Sequence, residues 1–369
     1  MSKNKNKVKI LILKPLLTNE EISKREGEFV SKSECKYIIK SDTDAYYIDE
    51  DETDGTDGIK NKKKLLFKFR KNVIPNKICI DAYNALENHA QKKNHNRGAA
   101  AGKIKLNKLP SHVGKITKTD KFRIFYKTKS GKVSRDNIGN MSKSNIAGYY
   151  DRPDRNNYNK NNKTKKNNTK AVSKSVLARL LPKAVTKAVP KAVPMCRITK
   201  FTKDEPEKWK SVIPLVKEAD KLFKYLVPDR YSIQISRAKK TPDFQIAKTA
   251  YSTITVNYDW RTAIHRDSGD LEEGFGNLCV LEKEKSKTEK DGENGKVEKD
   301  GNGFKGYKGY KGYKGCFLAF PRFGACIDVR QGDFLAMDVH EYHSNTELEG
   351  NGRLSVVCYL RKKMLSCVK

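Results

Sequence analysis

With 369 residues and 37% hydrophobic content, the chain is long enough for one large or two modest domains and apolar enough for a real core, which excludes a wholly disordered polymer. Its 77 Lys and Arg against 44 Asp and Glu leave a net charge of +33, an excess that fits a polyanionic partner, or else a basic solvated surface of purely compositional origin. Eight cysteines occur without a CxxC pair, so neither a zinc site nor a disulfide framework is expected, and the reading is a soluble, intracellular protein, nuclear or cytoplasmic, with no segment of membrane length.

Residues 1–61 are expected as a peripheral segment. They hold one short strand at 8–13 behind a basic lead too short and interrupted for a signal peptide, then an acidic run at 42–57 that reads as a solvated loop or as a screen for a basic groove. Residues 62–155 are expected to pack on the core. A strand at 65–69 precedes a helix at 78–89, and the small-residue stretch Asn96-Arg-Gly-Ala-Ala-Ala-Gly102 lets backbones approach closely. An aromatic-rich strand at 122–127 follows, and residues 144–155 combine tyrosines, arginines and a proline, suited either to stacking on exposed bases or to ordinary packing.

Residues 156–195 form a basic low-complexity linker. Between 152 and 200 there are 14 Lys and Arg against the single Asp154, and Pro182, Pro190 and Pro194 resist helix, so this stretch is a linker or a phosphate-tracking arm. Residues 196–369 form the main block. Val212, Leu215, Val216, Ala219, Leu222, Phe223 and Leu226 repeat with helical period across 209–227 despite Pro214. Strands are then expected at 232–236, 249–256, 277–281, 316–320 and twice more near the C-terminus. The segment 282–315, with ten lysines, seven acids and Tyr-Lys-Gly triplets, reads as a low-complexity insertion looped out of a sheet.

Chemistry concentrates in two places. His265 and Asp267 are two residues apart, and in an extended chain i and i+2 point to the same side. His340 and His343 lie in a polar loop between the last two strands, so two histidines and one carboxylate can form a facial triad that leaves three coordination positions open, as non-haem Fe(II) requires. Arg353 opens the final strand ten residues after His343. Its guanidinium suits the distal carboxylate of 2-oxoglutarate, and Ser355, on the same strand face, can add a hydroxyl donor. Without Arg353 the same three residues read equally as a structural cluster.

The stretches Thr253-Ile-Thr-Val-Asn257, His265-Arg-Asp-Ser-Gly-Asp270, 332–346 and Arg353-Leu-Ser-Val-Val-Cys-Tyr359 resemble the TET/JBP family of Fe(II)- and 2-oxoglutarate-dependent nucleic-acid base dioxygenases, with the greatest likeness to the thymine hydroxylases that start base J synthesis. The resemblance covers about residues 196–362 without the insertion. It implies an α+β fold built on a double-stranded β-helix, or jelly-roll, with helices packed outside it. By position it implies His265, Asp267 and His343 as metal ligands, Arg353 as the 2-oxoglutarate anchor and Ser355 beside it. His340 is then the rival distal ligand, a polar neighbour, or simply exposed.

The implied cofactors are Fe(II), 2-oxoglutarate and O2, and the implied partner is DNA. The expected reaction is hydroxylation of the methyl group of thymine or 5-methylcytosine, with release of succinate and CO2, on a base flipped from the stack. A hydroxylase of protein side chains or RNA would use the same iron site, and a non-catalytic basic DNA-binding protein would keep the charge but not need the ligands.

Overall fold

In the last strand, alternation turns Leu354, Val356 and Cys358 to one side of a sheet, into an apolar cluster, and Arg353 and Ser355 to the other side, where they line a cleft. The structure is a computed structural model that describes residues 7–48, 63–95, 97–104, 106, 111, 113–136, 141–151, 196–283 and 312–367. The basic linker at 156–195, the acidic residues 49–57, residues 152–155 and the insertion between 284 and 311 lie outside these.

The strands are β1 (Lys9–Leu13), β2 (Tyr37–Ile39), β3 (Thr43–Ile48), β4 (Lys63–Arg70), β5 (Val113–Thr119), β6 (Ile124–Thr128), β7 (Val133–Asp136), β8 (Ser144–Tyr150) and β9 (Arg197–Ile198). They continue with β10 (Thr253–Tyr258), β11 (Gly276–Glu282), β12 (Tyr313–Gly315), β13 (Leu318–Phe320), β14 (Ala325–Ile327), β15 (Phe334–Met337), β16 (Ser344–Asn345), β17 (Leu348–Gly350) and β18 (Arg353–Tyr359). A nine-stranded sheet runs β1-β3-β4-β15-β11-β18-β10-β8-β9, and a four-stranded sheet runs β16-β13-β14-β2. The pair β12-β17 and the three-stranded sheet β5-β6-β7 complete the set among the described residues.

Leu278 and Val280 of β11, and Leu335 and Met337 of β15, join Leu318, Phe320, Ala325 and Ile327 of the smaller sheet in one apolar cluster, so the two sheets share an interior. Cys279, Leu281, Phe334, Ala336, Leu354, Val356 and Cys358 alternate to the other face. Five helices are described: α1 (Asn19–Lys24), α2 (Asn76–Ala90), α3 (Lys200–Asp204), α4 (Pro206–Leu226) and α5 (Pro228–Ala238). The second apolar face is covered by α2 through Cys79, Ala82, Tyr83 and Leu86, and by α4 through Leu215, Val216, Ala219 and Phe223. The fold is therefore mixed α+β with large sheets. Among the described residues, no helix is long and apolar enough to cross a membrane.

The structure departs from expectation in three places. Residues 232–236 are not a strand but part of α5. The alternation of Ile233 and Ile235 imitates a strand, yet Pro228 at the first helical turn and Asp229 beside it are helix-start signals, and the buried residues Gln234 and Ala238 are four apart.

Residues 43–48, expected within an acidic solvated loop at 42–57, instead form β3 between β1 and β4, and β1 and β2 lie at the edges of the nine- and four-stranded sheets, each in parallel pairing. Gly27 and Glu28 exchange backbone hydrogen bonds with Ile264, next to the predicted ligand His265.

Two disulfides also form where no framework was expected. Cys35 bonds to Cys326 and Cys196 to Cys367, across 291 and 171 residues, whereas Cys79, Cys279, Cys316 and Cys358 are free and buried. The partners are too distant in sequence for spacing to have announced them.

Candidate active site

The segment 262–267 is an extended run bonded on both sides. Ala263 donates its N–H to Ala100 and Ile264 to Glu28, whereas Asp267 donates to Val339 across the opposite edge. His265 and His343 form an isolated antiparallel bridge in which each backbone N–H donates to the other's carbonyl at 3.0 Å. Such a directly paired position puts both side chains on one face, and the two imidazole centroids lie 4.3 Å apart.

Asp267, two residues beyond His265, turns its carboxylate to the same place. Oδ1 is 3.7 Å from His265 Nε2 and Oδ2 is 3.8 Å from His343 Nε2. One donor atom from each of the three residues falls within 4.8 Å of the others. Both rings donate from Nδ1 to a carbonyl two residues upstream, His265 to Ala263 at 2.8 Å and His343 to Glu341 at 2.9 Å. That leaves each Nε2 with its lone pair toward the cluster, the tautomer a metal ligand needs. Burial pushes His343 down to about 4, so it is neutral near pH 7.

Glu341 supplies more than its carbonyl. Its carboxylate accepts the Tyr47 hydroxyl at 2.9 Å and lies 3.5 Å from the buried Arg322 guanidinium, so β3 and the segment after β13 both hold the loop that carries His343. His340 faces elsewhere. Its Nδ1 is 3.4 Å from Asp338, whose carboxylate raises its pKa, and it does not line the cleft described next.

The triad opens into a cleft of about 910 Å³ whose walls include Arg353 and Ser355. Arg353 is 2% exposed. Its backbone N–H donates to Asp259, but its guanidinium Nε has no hydrogen-bond partner and the group lies over the Tyr313 ring at 5.6 Å. A buried guanidinium short of acceptors is costly by itself and suits an incoming carboxylate. Ser355 accepts a hydrogen bond from the Asn257 amide at 3.2 Å, and Asn257 in turn accepts one from Ser144, linking β18, β10 and β8.

Sequence reasoning missed part of this cleft. Alternation from Arg353 and Ser355 leads on to Val357 and Tyr359, and the facing strand adds Thr255 and Asn257, with Thr255 and Tyr359 hydroxyls 3.1 Å apart. The period is plain in the sequence, but nothing in it marks the polar members as cleft residues. Asp270 and Arg361 also line this cleft, and Arg361 pairs with Asp151 at 2.6 Å. Asp270 is 7% exposed, and burial together with the charge of Asp267 raises its pKa well above the ordinary value, whereas Arg361 opposes the shift.

The resemblance read from the motifs is borne out. Residues 187–362 match the Tet/JBP family, described as the oxygenase domain of the 2OGFeDO superfamily. Thymine dioxygenase JBP1 of Trypanosoma brucei brucei is 33% identical over 173 residues, 45% of this chain and 17% of that protein. The bifunctional helicase and thymine dioxygenase JBP2 of Leishmania major is 33% identical over 177 residues, 47% of this chain and 13% of that protein. The chain thus matches under a fifth of the length of these relatives. A solved structure of NgTET1 in complex with 5mC DNA aligns over 94% of this chain and 92% of its own at a TM-score of 0.41 and 10% identity, a likeness too loose to carry an argument.

Proposed function

We propose that the oxygenase domain matched at residues 187–362 makes this protein an Fe(II)- and 2-oxoglutarate-dependent dioxygenase that hydroxylates the methyl group of thymine or 5-methylcytosine in DNA. The observation that carries the reading is the placement of His265, Asp267 and His343 in one cleft with the buried Arg353 guanidinium. Names of the curated relatives support thymine as the base.

The donor set fits the metal. His265 and His343 would bind it through Nε2 and Asp267 through a carboxylate oxygen, with no thiolate present to favour softer ions. Arg353 would take the distal carboxylate of 2-oxoglutarate and Ser355 would donate its hydroxyl to it. When bound, iron(II) with 2-oxoglutarate and dioxygen supplies the oxidation that puts one oxygen atom on the methyl carbon and the other in succinate, with loss of CO2.

This chain's own residues do the rest. The carbonyls of Ala263 and Glu341 hold both imidazoles in the ligating tautomer. Leu278, Leu318 and Met337 line the cleft and exclude water around the reacting carbon. A methyl group stacked in a duplex cannot enter such a cleft, so the base must be flipped, at an unstacking cost of a few kcal/mol.

The alternation of the chain between the sheets supports a double-stranded β-helix as the core. The path runs from β10 to the His265 bridge, back to β11, out to β13 and β14, back to β15, through β16 and home to β18. We take 196–369, which carries the insertion, as the catalytic core, with residues 62–155 packed on it. Release of hydroxymethylated nucleosides from DNA treated with the iron-loaded protein, and only when 2-oxoglutarate is present, tests the proposal.

A further inference from the structure

The sheet β5-β6-β7 stands apart from the two main sheets. It holds eight Lys and Arg against two Asp between 113 and 136. Charge alone decides nothing in a chain of net charge +33, where exposed lysines are everywhere. Its position and face pattern decide more.

The inner side chains of β6 are Ile124 and Tyr126, 0% and 3% exposed, which cluster with Ile104 and Val113. Strand alternation then sends Arg123, Phe125 and Lys127 to the other face. Lys118 of β5 is the cross-strand partner of Phe125, so it joins them there. Arg123, Lys127 and Lys118 are exposed, and Phe125 is half-buried between them. At the end of this row, where β5 turns into β6, Phe122 and Arg123 line the same cleft as the His265, Asp267 and His343 triad. Arg97, Arg266 and Arg361 line that cleft as well.

The geometry points to the β5-β6-β7 sheet as the arm that holds the nucleic-acid backbone beside the flipped base, through Lys118, Arg123 and Lys127, with Phe125 as a ring against which a neighbouring base stacks. This rests on the DNA reading above and adds to it the surface that carries the flanking strand. From Arg123 to Lys127 is four residues of strand, about 13 Å. One strand of duplex presents about four phosphates over that length. Alternation of cation and ring is the pattern that grips a strand without reading its sequence, because every base has a stacking face.

The test is the salt dependence of binding to thymine-containing duplex DNA by the full chain, measured by fluorescence anisotropy. The variants are Lys118→Gln/Arg123→Gln/Lys127→Gln and, as a control, Lys217→Gln/Lys224→Gln on the exposed side of α4, with unfolding midpoints confirming that each is folded. The slope of log affinity against log salt should shrink by about 2 to 3 in the triple variant, from about 0.9 for each phosphate no longer neutralised, and stay at the wild-type value in the control. A wild-type slope in the triple variant, or an equal loss per charge in the control, overturns the arm but leaves the dioxygenase reading standing. Absence of any salt-dependent DNA binding by the wild-type chain overturns both.

Discussion

His265 and His343, 78 positions apart, exchange both backbone hydrogen bonds at 3.0 Å, so the spacing of their rings is set by a strand bridge and not by side-chain choice. Asp267 reaches both rings from the same run, and His340, three residues before His343, does not. His343→Ala is therefore expected to lower metal affinity by more than about 100-fold, beyond the usual cost of losing an outer hydrogen bond to a ligand, and to abolish iron-dependent succinate formation. His340→Ala should keep both. Isothermal titration with Co(II) as the probe metal, alongside succinate release, distinguishes them, and the reverse pattern would exchange their roles.

Arg353 is buried, and no carboxylate pairs with its guanidinium among the described residues. Removing one partner of a buried charge pair costs about 2 to 5 kcal/mol, so Arg353→Gln should raise the KM for 2-oxoglutarate by about 30-fold or more. Arg353→Lys keeps the charge but loses the planar fork, and should fall between the two. A KM that does not move in either variant would remove Arg353 from the co-substrate site.

The Cys196–Cys367 disulfide joins the two ends of the C-terminal block, residues 196–369. Its loss, by reductant or by Cys196→Ser, is expected to cost about 2 to 5 kcal/mol of stability through the freed unfolded chain. The check is the unfolding midpoint of the protein with and without reductant. Equal midpoints would restore the reading of a chain built for a reducing interior.

His89 of α2 stacks on Phe201 with centroids 4.4 Å apart, and burial lowers its pKa from 6.5 to about 4. Its folded pKa lies below the unfolded one, so its contribution is fully present above about pH 6.5 and is lost as pH falls toward 4, where the unfolded chain takes up a proton that the folded one refuses. His343 titrates in the same direction. His89→Phe keeps the stacked ring and removes its contribution, so the fall in metal-free stability between neutral pH and pH 4 should be smaller than in the wild type. An identical pH profile for the two proteins would show that His89 is not held neutral.

The local part of the site was legible in the sequence because it is periodic. His265 and Asp267, and likewise Arg353 and Ser355, are i and i+2 neighbours, and strand alternation alone puts each pair on one side. Contacts set by distant segments were not. Nothing in the spacing joins Tyr47 to Glu341, Cys35 to Cys326, or Ile264 to Gly27 and Glu28, because each depends on where the N-terminal strands dock. The misread strand at 232–236 failed for a different reason: over five residues, alternating isoleucines fit strand and helix alike, and the proline at the start of α5 carried the deciding information.

The most direct test of the account is nucleoside mass spectrometry after incubating the protein with Fe(II), 2-oxoglutarate, ascorbate and oxygen on thymine-containing DNA and, in parallel, on 5-methylcytosine DNA. A hydroxymethylated base is expected from at least one substrate, dependent on 2-oxoglutarate and absent with His343→Ala. No oxidised base from either DNA, alongside brisk succinate formation on a peptide or an RNA, would contradict it.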